Sequence, residues 1–244
     1  MGALFHSLIY QPLYNTLIFI YNVLPGADFG IAIVAITVLL RFLLVPIYKK
    51  QIESQRNLQK LQPKIKEIQK NTKGDKEKQA KELMELYKKH KTNPFSGCLP
   101  LIIQLIFLIA IYRILINISD AGLVANPAEL YSFVKDPGSI NQFFISLVDL
   151  TKPSVVIAAL AAIAQFFQTK MLLQSAGKKI ETKDNSEPDI AQMMSKQMLF
   201  LGPILTLIIG IKFAAGLSLY WLTSTIFMLA QQIYIQKNET PSDN

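Results

Sequence analysis

The sequence predicts an all-α polytopic membrane protein: five transmembrane helices, a cytoplasmic helical hairpin and an N-terminal interfacial helix. Three observations carry that expectation. Of the 244 residues, 51% are hydrophobic and only 17% charged, a balance typical of chains that span membranes repeatedly. Apolar runs of about 20 residues recur, the length that crosses roughly 30 Å of hydrocarbon at 1.5 Å per residue. The positive charge is concentrated in one loop. Residues 49–91 hold 14 Lys/Arg against 6 Asp/Glu, a net +8 that equals the charge of the whole chain.

Residues 1–27 have no basic start and no clear small-residue cleavage site, so they do not read as a signal peptide. Ser7, Gln11, Asn15 and Asn22 form a thin polar stripe at helical spacing, which predicts an amphipathic helix in the outer interface. An additional or cleaved spanning segment is the alternative. Pro25-Gly26 ends this element. The core, residues 28–236, holds the five spans at about 29–48, 97–118, 153–174, 196–211 and 214–236. The fourth is short and carries Gly202 and Pro203.

Within the basic loop, Leu58, Leu61, Ile65 and Ile68, then Ala80, Leu83 or Met84, and Tyr87 repeat at helical intervals around the turn signal "NTKGD". This predicts a helical hairpin over 49–92, with Pro63 kinking or restarting its first arm and Asn93-Pro94 stopping its second. Lys60, Lys64, Lys66, Lys73, Lys76, Lys88 and Lys89 form a candidate recruitment surface for anionic headgroups, a ribosome or another acidic partner. A plain solvated, inward-marking loop is the simpler reading.

Charge also orients the chain. The basic loop belongs inside by the positive-inside rule. Residues 119–152 carry Lys135 and Lys152 against Asp120, Glu129, Asp136 and Asp149, as an outer loop would, and Lys170, Lys178, Lys179, Lys183 and Lys196 mark the return inward. The N-terminus is therefore expected outside and the C-terminus in the cytoplasm. The segment "SAGKKIETKDNSEPDI" reads as an inner loop, the short link "GIKFAAG" makes the last two spans an antiparallel pair, and 237–244 is a polar tail.

The sequence excludes several chemistries. It holds a single cysteine, Cys98, so no internal disulfide forms. No metal-ligand spacing and no phosphate loop occur, and neither His6 nor His90 has a catalytic partner nearby in sequence. We expect no enzyme, no catalytic residue, no metal and no cofactor.

The informative residue is Arg41, in "AITVLLRFLLVPIY". A charge near the middle of a spanning helix costs about 2.5–3.5 kcal/mol, and Arg41 lies seven residues, about 10 Å, before Tyr48. Snorkelling to inner headgroups is one explanation. Its company suggests another. Thr37 is one turn away on the same face; Gln104 lies in the second span, Gln165 and Gln168 in the third, and Ser218, Thr223, Thr225, Gln231 and Gln232 in the fifth. Each serves as an interhelical hydrogen-bonding residue on its own, but together they fit a shared polar cavity. No acid occurs within the spans, which argues against a proton relay or cation site. A lone cation in a partly wet cavity attracts negative groups from elsewhere: the acidic segment of another protein crossing the membrane, an anionic solute or a lipid headgroup.

The strings "TVLLRFLLVPIY" (37–48), "LQPKIKEIQK" (61–70) followed by "KGDKEKQ", "NPFSGCLPLIIQ" (93–104) and "FAAGLSLYWLTSTIFMLAQQ" (213–232) together resemble the YidC-type membrane protein insertases and their mitochondrial and chloroplast relatives, in order over about 28–236. The resemblance implies a hydrophilic groove open to cytoplasm and lipid, with Arg41 and Thr37 inside it, and Gln104 at the position of the second-span glutamine. Tyr220 and Trp221 match an aromatic pair that meets the entering helix. Gln165, Gln168 and Ser218 complete the expected groove set. Substrates would be nascent membrane proteins in the lipid bilayer; Sec translocon, ribosome or signal recognition machinery are the partners implied, and no specific nucleic acid is. The chain departs from the family pattern in "QLIFL" and "FAAGL", which lack prolines found in many relatives, and it resembles the short form, without an N-terminal lipoprotein cysteine. An assembly chaperone beside the Sec translocon and a small-anion transporter are the alternatives.

Overall fold

A computed structural model of the chain describes residues 2–90, 92–93, 99–175 and 190–238. It is mostly helical. The expected stop at Asn93-Pro94, Cys98, most of the inner loop after the third span, and the polar tail beyond Asn238 lie wholly or partly outside the described residues.

The chain opens with a short helix α1 (Ala3–Phe5), a π-helical turn over His6–Tyr10, and helix α2 (Gln11–Val23). The polar stripe is split between protein and surroundings, with Gln11 half-buried and Ser7 and Asn22 exposed. Asn15 is buried, as are Tyr10, Tyr14 and Tyr21, while Leu4, Leu8, Phe19 and Val23 are exposed. The apolar residues divide as well, Leu13, Leu17 and Ile18 being buried in the core.

Helix α3 runs unbroken over Phe29–Lys60, through Pro46. The expected span and the first part of the expected hairpin arm are one continuous helix through residue 48. The break falls at Leu61, after which α4 (Gln62–Asn71) starts with Pro63 in its first turn, where a missing N–H costs nothing. Gly74, at φ +101°, makes the turn, and Asp75 caps α5 (Lys76–Lys89) by accepting from Lys78 N at 2.9 Å. The second arm thus ends four residues before Asn93. Lys64 Nζ, near the start of α4, lies 3.5 Å from His90 Nε2 at the end of α5, so the two run antiparallel.

Helices α6 (Leu99–Asp120), α7 (Val155–Ser175), α8 (Ile190–Gly210) and α9 (Ala215–Asn238) complete the bundle. Three described helical stretches are long and apolar enough to cross a bilayer: Phe29–Ser54, Ile102–Asp120 and Val155–Leu173. The apolar part of α8 is shorter, Leu199–Gly210. Helix α9 is diluted by Ser218, Ser224, Thr225 and Gln232, all buried inside the bundle; a helix that faces protein does not need a lipid-like sequence. Helices α8 and α9 meet over a short stretch, where Ser218 Oγ donates to the Gly210 carbonyl at 3.4 Å, and both pack chiefly along α7. A Cβ on Gly210 would come within 2.6 Å of Ala158 Cβ, so only glycine permits α8 to approach α7 this closely.

Between α6 and α7 the loop is ordered. Strands β1 (Phe143–Phe144) and β2 (Val148–Asp149) pair antiparallel, Phe143 opposite Asp149 and Phe144 opposite Val148. Phe144 packs directly on Gly30 of α3, where a Cβ would clash with its ring. Asp28 ties the two together: one carboxylate oxygen caps α3 through Ile31 N at 2.9 Å and the other accepts from Ile145 N at 2.5 Å. Ile145 sits at φ +46°, rare for a β-branched residue, and that amide bond holds it there. The main core, with Tyr14, Leu17, Ile18, Ile33, Ile36, Ile111, Ile114 and Leu150 fully buried, lies between α2, α3, α6 and this loop.

Candidate functional site

Arg41 is 4% exposed, on the face of α3 that meets α6 and α9. Its Nε donates to Ser224 Oγ of α9 at 2.7 Å. The two terminal nitrogens donate to Tyr48 Oη, Gln104 Oε1 and again Ser224 Oγ, and the guanidinium carbon stands 5.2 Å from the Tyr48 ring centroid. Ser224 in turn donates to Gln104 Oε1 at 3.3 Å. Buried Tyr220, one turn before Ser224, completes the cluster on α9.

All of these hydrogen-bonding partners are neutral. A buried charge normally costs several kcal/mol unless it is paired and hydrogen-bonded; here three oxygen dipoles stand in for a carboxylate. Satisfaction is also uneven around it. Gln104 Nε2, Thr225 Oγ1 and Gln232 Nε2 are buried without a hydrogen-bond partner, whereas native interiors leave few such atoms. Within the cluster, Gln104 accepts from Arg41 and Ser224 while its amide nitrogen is left as an unused donor.

The expected groove residues divide. Arg41 and Gln104 are in direct contact, and Tyr220 adjoins them. Thr37 is buried one turn above Arg41, with its hydroxyl donating to the Ile33 carbonyl at 2.5 Å. Trp221 is half-buried beside Tyr220. Gln165 is not in the cluster: it accepts from Thr206 Oγ1 and bridges α7 to α8. Gln168 lies one turn further along α7, half-buried, and Ser218 serves the α8–α9 junction. All seven candidate hairpin lysines, Lys60, Lys64, Lys66, Lys73, Lys76, Lys88 and Lys89, are exposed.

Sequence reasoning missed Tyr48 and Ser224. Both were within reach of a spacing argument: Tyr48 is two turns from Arg41 on one face, and Ser224 is one turn from Tyr220. It also passed over Arg113, an exposed second arginine within the second span. No group of three or more His, Cys, Asp or Glu that could hold a metal occurs among the described residues.

Fold and site together define a multi-pass helical membrane protein whose distinctive feature is a buried arginine held by neutral dipoles. A model of the family described as "60Kd inner membrane protein" matches residues 19–242, and the chain belongs to that family. It is 32% identical over 243 residues to a membrane protein insertase YidC of Streptomyces avermitilis, covering 91% of this chain and 55% of that one. It is also 32% identical to the protein of the same name from Fusobacterium nucleatum, covering 95% and 98%, and to that of Oceanobacillus iheyensis, covering 86% and 75%. The chain thus spans about half the length of the Streptomyces relative and nearly all of the Fusobacterium one.

Proposed function

We propose that this protein is a membrane protein insertase, assisting nascent membrane proteins into the bilayer through a polar groove centred on Arg41. The observation that supports this reading best is a buried arginine whose hydrogen-bonding partners are Tyr48, Gln104 and Ser224, none of them anionic. An acidic segment entering from water can exchange for those dipoles and meet the cation in a low dielectric, where the attraction is strong. The unused amide nitrogen of Gln104 offers a further hydrogen bond, lowering the cost of desolvating a polar segment part-way. The final state, an apolar helix in lipid, supplies the driving force; no covalent chemistry is involved.

In this reading α3, α6, α7, α8 and α9 are five spans, with the N-terminal helix outside and the C-terminus in the cytoplasm. The hairpin α4–α5 then lies in the cytoplasm, its exposed lysines a reception surface for substrate, ribosome, signal recognition machinery or the Sec translocon. Thr37, Gln104, Tyr220 and Trp221 border the groove; Gln165, Gln168 and Ser218 hold its α7–α8–α9 wall.

The test is insertion of a single-span protein with a short acidic tail into liposomes containing only this protein, scored by protease protection of the tail. Protection above that of protein-free liposomes is expected. Its absence, with the protein folded and oriented, would shift the assignment to an assembly chaperone that needs a partner; anion flux lost with Arg41→Ala would shift it to a transporter.

A further inference from the structure

The turn between β1 and β2 carries apolar side chains on its outside. Phe143, Ile145 and Leu147 are exposed, Leu147 by 80%, in a loop where polar side chains would ordinarily face water. We propose that this turn is a lipid anchor, seated among the headgroups and upper acyl chains of the leaflet remote from the α4–α5 hairpin.

The ends of three helices fix its depth. Phe144 packs on Gly30 in the first turn of α3, and Ile145 N donates to Asp28, just ahead of that helix. At the base of the turn, the carbonyls of Leu150 and Lys152 accept from Gly216 N and Ala215 N in the first turn of α9, at 3.1 and 2.8 Å. Helix α7 then starts at Val155. A side chain leaving the turn away from the protein therefore leaves at the level where three apolar helices begin. Ile31, Val155 and Val156 add exposed apolar side chains at that level. The inference rests on α3, α7 and α9 spanning the bilayer, as read above, and not on Arg41 or on insertion.

Backbone and charge suit lipid as well. Leu147 N donates to the Phe144 carbonyl at 3.0 Å across Ile145 and Ser146, which lie at φ +46° and +58°, the conformation that hairpins in water usually give to Asn-Gly. An isoleucine is unfavourable there, and exposing its side chain to water would add to the cost; contact with hydrocarbon offsets it. The amides of Phe143, Ile145 and Leu147 are all bonded within the protein, to Asn141 Oδ1, Asp28 Oδ2 and the Phe144 carbonyl, so lipid around them strands no donor. The flanking carboxylates are occupied too, Asp28 by the Ile31 and Ile145 amides and Asp149 by Thr151 and Lys152. Lys152, 77% exposed beyond its contact with Asp149, and Lys212, exposed in the α8–α9 link, stand at this end of the bundle to meet phosphates.

The test attaches a nitroxide to the full chain carrying Cys98→Ser and Leu147→Cys, in liposomes of choline and glycerol phospholipids. Its collisions with oxygen, which concentrates in hydrocarbon, are compared with those of an aqueous nickel chelate. Labels at Leu160→Cys, an exposed position on α7, and at Lys135→Cys, exposed elsewhere in the loop, give the lipid and water references. Position 147 should favour oxygen, as 160 does, with the preference inverted at 135. Adding Ile145→Asn, which suits a positive φ, should shift 147 toward nickel without lowering the melting temperature. A label at 147 as open to nickel as that at 135, with 160 in lipid, would overturn the proposal and assign the turn to a protein partner. Nickel access at 160 as well would overturn the spanning reading along with it. An oxygen preference at 147 that ignores Ile145→Asn would also overturn the proposal, by showing that Ile145 does not hold the turn in lipid.

Discussion

The cap formed by the N-terminal helix and the loop after α6 and the layer around Arg41 use similar side chains for opposite ends. In the cap, polar side chains bond mostly to backbone. Asn15 donates to the carbonyls of Gln11 and Glu129 at 2.9 and 2.8 Å and accepts from Tyr131 N at 2.6 Å. Tyr21 accepts from Asn141 N at 2.9 Å, and Asn22 donates to the Lys135 carbonyl at 2.6 Å. Around Arg41 the bonds run from side chain to side chain, with buried atoms left over. Backbone groups have nowhere to go, so bonds to them lock a loop in place. Side-chain dipoles rotate, so bonds between them can be traded for a visitor. The cap is fastening; the Arg41 layer is exchangeable.

Substitutions separate the two. Arg41→Met, which keeps bulk and removes the charge, should reduce insertion of an acidic-tailed substrate at least tenfold, to the protein-free background. Its thermal unfolding in detergent should stay close to the parent, since relief of the buried charge's desolvation offsets the bonds lost by Tyr48, Gln104 and Ser224, of which Ser224 can still donate to Gln104. A collapse in stability would break the comparison. Asn15→Ala should do the reverse, costing about 2–3 kcal/mol by stranding Tyr131 N and the Glu129 carbonyl, with insertion per folded molecule unchanged. Asp28→Ala should cost about 1–2 kcal/mol through loss of the α3 cap and of the bond that holds Ile145; greater proteolysis at 143–149 would report it.

The smallest effect is one of pH. Burial works against ionisation of Asp149, but the Thr151 hydroxyl and amide and the neighbouring Lys152 outweigh it and hold the carboxyl below its usual value. A carboxyl depressed in the folded state stabilises above the ordinary carboxylate range, and that contribution is lost as pH falls through the folded value. Asp149→Asn should flatten the acid side of the melting-temperature profile and leave neutral pH little altered.

How much was legible in sequence follows the same division. Arg41 stood out because lipid makes any charge conspicuous, and three spans were plain as apolar runs. Helix α9 was read as an apolar run over 214–236 although its buried Ser, Thr and Gln dilute it, and the short fourth span, with Gly202 and Pro203, was the least distinct. Tyr48 looked like an ordinary interface tyrosine and Ser224 like any serine; only the fold sets them against the guanidinium. The cap was illegible because its bonds join residues more than a hundred positions apart. The polar stripe of the N-terminal helix was found, but periodicity locates a face without saying what covers it: Asn15 is buried against the loop after α6 while Ser7 and Asn22 stay exposed.

The most direct measurement is a charge-reversal cycle: parent, Arg41→Ala and Arg41→Glu proteins, each inserting substrates with acidic, neutral or basic tails into liposomes without a membrane potential. An exchangeable Arg41 layer predicts strong coupling, with the parent favouring acidic tails, Arg41→Ala indifferent and Arg41→Glu favouring basic ones. Additive effects, in which Arg41 and tail charge alter insertion independently, would contradict the claim that Arg41 meets the translocated segment.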